Sequence, residues 1–297
     1  MSYRELYVSP SPVFSGSQEP YESSKYVIVG VPFDVTSTYR LGAKFAPLAI
    51  RDASQNIECY SFRSNIDVED LKTHDLGDLH VAGDVELTLE KLTLVAKDLF
   101  DEDKIPVFIG GEHTISLGIA RSLDKNAAII SFDAHLDLRN EYMGLNVSHT
   151  TFMRRINENI KPPKILEVGT RAVCKEELEY AKETDIDYIT ANQIRKNGVK
   201  KTCENIEKII KPFEEVYVTI DMDVLDPSYV PAVPNPEPEG LDTSTLLDLL
   251  EIVCNKKIIG FDVVEVAPQY DQGITAIQAT KVIFEMLGFI EKNEKLA

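Results

Sequence analysis

No stretch of 18 or more apolar residues occurs in this 297-residue chain, so no segment is expected to cross a membrane as a helix. The first residues, Met1-Ser2-Tyr3-Arg4-Glu5-Leu6, lack the apolar centre of a secretory signal, and the expected location is cytoplasmic. Cysteine is sparse. Cys59, Cys174, Cys203 and Cys254 stand far apart with no CxxC pair, which excludes a zinc ribbon and a redox dithiol and leaves reduced, structural thiols as the expectation. Positive charge is short: 31 basic residues face 49 acidic ones, for a net charge of −18. A nucleic-acid partner, which needs basic patches, is therefore not expected. Such a field raises the local concentration of cations, although a solvated acidic surface accounts for most of the excess.

The chain does contain a normal share of apolar residues, 43%, enough to bury a sizeable core. Short apolar runs alternate with amphipathic stretches. Strands are expected at Tyr26–Val31, Ile105–Ile109, Ala127–Phe132, Lys164–Val168, Glu215–Ile220 and Ile258–Val266, several of them apolar on both faces like buried parallel strands. Helices are expected from a cap at Asp84 to about Phe100, and over Lys175–Lys182, Thr202–Ile210, Thr243–Val253 and Thr275–Lys292, with Thr243 in a cap region. Alternation of this kind predicts an α/β fold, a three-layer α/β/α sandwich on a mostly parallel central sheet. No repeat or charged linker divides the chain, so residues 1–297 are expected to form a single domain. The Pro-rich segment Pro227–Pro238 follows directly on a strand that carries two Asp residues, and it is expected to be a rigid loop over a site rather than a linker.

Ligands of such sheets bind beyond the C-terminal strand ends, and three predicted strands end in carboxylates and imidazoles. One is followed by Asp133-Ala134-His135-Leu136-Asp137, one by Asp221-Met222-Asp223, and one by Gly110-Gly111-Glu112-His113. In an extended chain i, i+2 and i+4 share a face, so each group could point one way. Gathered carboxylates and imidazoles repel and desolvate one another, and divalent metal removes that cost. Four Asp and two His can serve two ions, and the mixed oxygen and nitrogen donors suit Mn²⁺, with Zn²⁺, Co²⁺ or Fe²⁺ as alternatives. Alone, an Asp-x-Asp after a strand is usually a turn or a helix cap; the joint pattern is the specific signal. Gly110-Gly111 lacks the continuation of a P-loop. Of five histidines, His113, His135 and His149 fall in these motifs, whereas His74 and His80 are assigned no chemistry.

Gly110-Gly111-Glu112-His113, Asp133-Ala134-His135-Leu136-Asp137, Ser148-His149, Asp221-Met222-Asp223-Val224-Leu225-Asp226-Pro227 and Glu265 occur in the order seen in the arginase/agmatinase superfamily of ureohydrolases. Gly30-Val31-Pro32-Phe33-Asp34, Gly42-Ala43, Ile50-Arg51 and Asp75-Leu76-Gly77-Asp78 add to the resemblance, which covers about residues 26–285 and is closest to archaeal-type agmatinases. The resemblance implies that His113, Asp133, Asp137 and Asp221 hold one metal, and that Asp133, His135, Asp221 and Asp223 hold the other: two Mn²⁺ per subunit. It implies that His149 shuttles a proton, that Asp137 orients the attacking water, and that Glu265 pairs with a guanidinium group. The implied assembly is a homotrimer or homohexamer.

The expected reaction is hydrolysis of a small cationic guanidino substrate, agmatine to putrescine and urea, by a hydroxide bridging the two ions. Arg139, Glu141, Tyr142 and Met153-Arg154-Arg155 look like agmatinase residues, as does Asn235-Pro236-Glu237-Pro238-Glu239-Gly240-Leu241, whose acidic side chains suit an amine tail. The departures are Ala232-Val233-Pro234-Asn235, where agmatinases carry a Gly-Thr-Gly-like stretch, and Asn140, where they carry Asp; both are expected near the tail pocket. Arginine, guanidinobutyrate and aminopropylagmatine are the alternative substrates. A dimetal phosphoesterase would need a later Gly-Asn-His element that is absent. A noncatalytic metal-binding relative would not need the intact ligand set with His149.

Overall fold

The computed structural model describes residues 2–16, 18–184 and 186–296. Among these, nine strands form one sheet: β1 (Val8–Ser9), β2 (Tyr26–Val31), β3 (Thr73–Leu79), β4 (Ile105–Gly110), β5 (Ala128–Phe132), β6 (Ile165–Thr170), β7 (Asp187–Thr190), β8 (Glu215–Asp221) and β9 (Lys257–Val264). Their order is β1-β3-β2-β4-β9-β8-β5-β6-β7. Every neighbouring pair is parallel except β1 on β3, at one edge. The helices are α1 (Tyr3–Tyr7), α2 (Ala46–Ser54), α3 (Val85–Asp101), α4 (Ile115–Ala120), α5 (Phe152–Asn159), α6 (Lys175–Glu183), α7 (Ala191–Asn197), α8 (Val199–Ile210), α9 (Thr243–Val253) and α10 (Ile274–Leu296).

The two-residue period of a strand sends alternate side chains to opposite helical layers. Val27, Val29 and Val31 of β2 pack with Leu92, Val95 and Leu99 of α3. Tyr26 and Ile28 join a core shared with α2, α9 and α10. Ile129 and Ile165 bury against α4, α5 and α6. This is the expected three-layer α/β/α sandwich. No helix among the described residues is long and apolar enough to cross a membrane, and all four cysteines are free thiols.

Most predicted elements form within two residues of the expected ends; α8 starts three residues early and α10 ends four late. The Asp84 side chain caps α3 by accepting from Leu87 N–H, whereas α9 is capped by Asp242 rather than Thr243. β9 stops at Val264, two residues short, because Glu265 adopts φ 61°, outside the extended region.

The central strands β4, β9, β8 and β5 are consecutive neighbours. Register places Ile109 beside Val263, Asp221 beside Val264, and Ile220 beside Phe132. The segments after these four strands therefore emerge side by side at one sheet end.

Candidate dinuclear metal centre

His113, Asp133 and Asp221 bring one ligand atom each within 4.8 Å of one another, and Asp133, His135 and Asp223 do the same. Asp133 belongs to both groups. The face-sharing expected from extended chain is not how this comes about, because β5 ends at Phe132. Asp133 instead folds back so that its Oδ1 accepts His135 N–H at 2.6 Å, and Asp221 Oδ1 accepts Asp223 N–H at 2.8 Å. These two-residue side-chain turns are a habit of Asp at strand ends. Asp223 Oδ1 accepts Ala134 N–H at 3.1 Å and ties the two turns together. Asp137 lies outside both tight groups, with its Oδ2 3.6 Å from His113 Nδ1 and its backbone at φ 51°.

The buried ring of His113 shows what the site lacks. Its Nε2 lies 2.8 Å from Thr219 Oγ1, whose single proton goes to Asp262 Oδ1 at 2.6 Å. Asp262 also accepts from Tyr217 Oη and Ser116 Oγ. Thr219 can then only accept from His113, so Nε2 carries a ring proton. Nδ1 faces Asp133 Oδ2 at 2.9 Å, Asp221 Oδ2 at 3.2 Å and Asp137 Oδ2. A ring nitrogen held among three carboxylates calls for positive charge between them, a metal ion or, without one, a second proton on Nδ1. His135 Nδ1 repeats the pattern, 3.1 Å from Asp223 Oδ2 and 3.4 Å from Asp133 Oδ1.

The acid–base behaviour carries the same message. Burial, then the charges of Asp223 and Asp133, pushes the Asp221 carboxyl well above its usual range. Burial and Asp133 do the same to Asp137, and burial and Asp221 to Glu265. Burial opposes charge on His113, but Asp133 and Asp221 outweigh it and raise the ring well above its ordinary value. Without another cation, these groups hold protons in its place.

Above the two groups lies a cavity of about 250 Å³ lined by His135, Asp137, His149, Asn235, Glu237 and Glu265, among others. Glu265 Oε1 accepts His113 N–H at 2.6 Å, while its buried Oε2 has no partner. Burial and the positive charges of His135 and His113 push His149 down to about 4, so its ring is neutral at pH 7.

A family model described as the arginase family matches residues 24–288. The chain belongs to the arginase family. An agmatinase of Bacillus cereus is 37% identical over 97% of this chain and 98% of its own length. An N(1)-aminopropylagmatine ureohydrolase of Thermococcus kodakarensis is 36% identical over 91% and 92%. The agmatine ureohydrolase of Thermoplasma volcanium superposes with a TM-score of 0.90 at 36% identity, covering 97% of each chain. Like these relatives, this arginase-family chain is a hydrolase of amidino C–N bonds.

Supporting residues of this arginase-family site carry signals too weak to read in sequence. Glu112 is fully buried and receives backbone N–H groups from Val35, Thr36 and Ser37. Glu177 accepts from Leu138 and Cys174 N–H and so anchors the segment after Asp137. Arg171 reaches six carbonyls, those of Gly169, Asp223, Val224, Leu225, Glu237 and Pro238, and so ties the ligand turn to the cavity loop. Nothing but a family pattern would single out these three. Of the residues expected near the tail pocket, Asn140 is exposed and accepts from Arg155, and Ala232 and Val233 are buried without lining it; Asn235, Glu237, Arg139 and Tyr142 line the cavity itself. His74 and His80 sit at the far edge, bonded to Glu19 O and near Ser9 Oγ.

Proposed function

We propose that this chain hydrolyses agmatine to putrescine and urea, with two Mn²⁺ held by His113, Asp133, Asp137 and Asp221 on one side and by Asp133, His135, Asp221 and Asp223 on the other. The observation that carries the reading is the sharing of Asp133 by two ligand groups beneath a cavity that holds an unpartnered carboxylate oxygen of Glu265. Paired divalent ions supply Lewis acidity and a water that ionises near neutral pH.

The chain's own residues do the rest. Asp137 accepts a hydrogen bond from the attacking water and fixes its direction. Glu265 binds the guanidinium through the free Oε2 by a charge-assisted hydrogen bond. Neutral His149 takes up a proton and passes it to the leaving amine. Glu237, in the cavity wall, offers its carboxylate to the amine tail. The name of the Bacillus relative supports agmatine, and that of the Thermococcus relative makes aminopropylagmatine the second substrate to test.

Urea release from agmatine, aminopropylagmatine, arginine and guanidinobutyrate, measured with Mn²⁺ added after chelation, tests the reading. Agmatine should be turned over fastest, and His113→Ala or Asp137→Asn should each lower turnover by orders of magnitude. Urea release that survives complete metal removal would end it. The same reading includes a single cytoplasmic domain assembled as a homotrimer or homohexamer, which light scattering of the native protein checks.

A further inference from the structure

His149 is held by hydroxyls at both ring nitrogens, and both hydroxyls come from one loop. Nδ1 lies 3.3 Å from Thr36 Oγ1, and Nε2 lies 3.2 Å from Thr38 Oγ1. The His149 backbone N–H also donates to Thr36 Oγ1, at 3.1 Å. Thr36 is held in turn by Glu112, whose Oε1 accepts the Thr36 hydroxyl at 2.6 Å and the Thr114 hydroxyl at 2.7 Å. Glu112 Oε2 accepts backbone N–H from Val35 and Thr36, both at 2.7 Å, and from Ser37 at 3.2 Å. Five donors thus converge on one fully buried carboxylate, which has no proton to give in that state.

A threonine hydroxyl has one proton, and Thr36 spends its own on Glu112. Its oxygen can therefore only accept from His149, so the neutral ring must carry its proton on Nδ1. The Nε2 lone pair then faces Thr38 and the cavity that Thr38 and His149 both line. We propose that Glu112 and Thr36 are positioning residues that fix His149 in its Nδ1–H tautomer and aim Nε2 at the reacting groups. The proposal uses the reading of His149 as the proton carrier only for its catalytic consequence. Nε2 takes the proton that the attacking water gives up, forming the imidazolium while Nδ1–H stays on Thr36. The same Nε2 proton then goes to the leaving amine nitrogen, and the ring returns neutral. With the opposite tautomer the lone pair would face Thr36, which cannot supply a proton to it, and Nε2 could not accept one from the cavity.

The test is ¹⁵N NMR of the histidine rings in the full-length protein, metal-free and loaded with diamagnetic Zn²⁺, near pH 7. His149 should show a protonated Nδ1 and an unprotonated Nε2. Thr36→Val keeps the shape but removes the acceptor, and should give a mixed tautomer with urea release lowered on the order of 10²-fold, the scale of one general acid–base group. Thr36→Ser should restore both. Thr38→Val should keep the Nδ1–H form, since Thr38 faces the other nitrogen. A wild-type His149 protonated on Nε2, or a Thr36→Val protein that keeps both tautomer and rate, would overturn the proposal. Should Thr36→Val fail to fold, the wild-type and Thr36→Ser spectra still decide it. The tautomer is read without substrate, so a failure to hydrolyse agmatine would remove the functional reading and leave this result standing.

Discussion

Arg171 offers the sharpest link between stability and substrate binding. Its guanidinium makes seven contacts of 2.6 to 3.3 Å with six backbone carbonyls. No carboxylate hydrogen-bonds to it among the described residues, and burial lowers its pKa. Arg171→Ala would take the arginine donor from the carbonyls of Gly169, Asp223 and Leu225, all in buried residues, whereas Val224 O keeps Leu241 N–H and Pro238 can regain water. Each orphaned acceptor costs about 1–3 kcal/mol, and hydrogen bonds to a charged donor are worth about 1.5–3 kcal/mol. Against that stands the desolvation of the guanidinium itself, which the variant no longer bears. The net loss should be about 3–5 kcal/mol, a drop in melting temperature of about 6–10 °C at roughly 2 °C per kcal/mol for a chain of this size. Lys at 171 has three donors in place of five and should recover less than half of it. The same clamp joins the Asp223 carbonyl to that of Glu237, so loosening it should raise KM for agmatine, the proposed substrate, about tenfold for every 1.4 kcal/mol of tail binding lost. Thermal unfolding of the Mn²⁺-loaded protein and steady-state urea release measure the two effects. An Arg171→Ala protein within about 0.5 kcal/mol of wild type, with KM unchanged, would refute the reasoning.

Two further predictions concern charge. In the metal-free protein Asp137, Asp221 and Glu265 sit well above their unfolded values, and so do His113 and His135. At these five groups the folded state binds more protons than the unfolded one, so their contribution to stability is fully present at low pH and is lost as pH rises, from about 4 for the carboxyls and from 6.5 for the imidazoles. Asp133 and His149 shift the other way, as do Glu102, Asp226, Asp242 and Glu291, but the lowered carboxyls are ionised in both states above pH 6 and leave the comparison there unchanged. Urea midpoints with chelator should therefore be lower at pH 8 than at pH 6, and Mn²⁺ should remove the difference; a rise with pH would contradict it. Separately, fully buried Arg51 binds both oxygens of Asp75 at 2.8 Å, Asp78 Oδ1 at 2.5 Å and Gly77 O at 2.9 Å. Arg51→Met should cost about 3–5 kcal/mol by leaving Asp75 buried and unpaired, and restoration by Asp75→Asn in the double variant, read in denaturant midpoints, would assign the loss to that charge.

The legible parts of this fold are those in which burial is carried by apolar residues. β2, β4, β5 and β8 are near-continuous apolar runs, and each is found at close to its true ends. β3 is missed because its sequence, THDLGDL, buries Asp75 and Gly77 where a strand pattern calls for apolar residues. Arg51, 24 residues earlier, supplies the charge that makes that burial tolerable, alongside N–H donors from Phe14 and Gly77. Both segments are visible as family motifs, yet no local rule says that they touch. The site divides in the same way. The candidate metal ligands stand out because four Asp and two His recur at strand ends. Glu112, Glu177 and Arg171 reach backbone groups distant in sequence, at Val35 to Ser37, Leu138 and Asp223 to Pro238, and those contacts leave no local pattern. Gly111 is a case between: a Cβ there would lie 1.8 Å from Phe33 O, so the close passage of two loops dictates the residue, but only the fold shows which loop comes close.

The backbone at Asp137 shows how the site trades stability for chemistry. Its φ of 51° is left-handed, a conformation that costs a residue with a Cβ about 1 kcal/mol, somewhat less for Asp. Its carboxyl is buried beside Asp133, and burial and that charge push its pKa well above the usual carboxylate range. Both penalties belong to the side chain. Asp137→Gly removes the steric strain and the crowded carboxyl together, at the expense of greater freedom in the unfolded chain, about 0.5–1 kcal/mol. In the metal-free protein near pH 8, where an elevated carboxyl pKa weighs most, the glycine variant should be the more stable, by about 1 kcal/mol. With Mn²⁺ the order should reverse, because the wild-type carboxylate then has a cation to face and the variant lacks this proposed ligand. Asp137→Asn separates the two penalties: it keeps the left-handed residue and drops the charge, so it should fall between them without metal. Denaturant midpoints of the three proteins, with and without Mn²⁺, give the order directly. If the wild type is the most stable of the three in chelator, neither the strain nor the buried carboxyl is being relieved by metal, and Asp137 is held in place for some other reason.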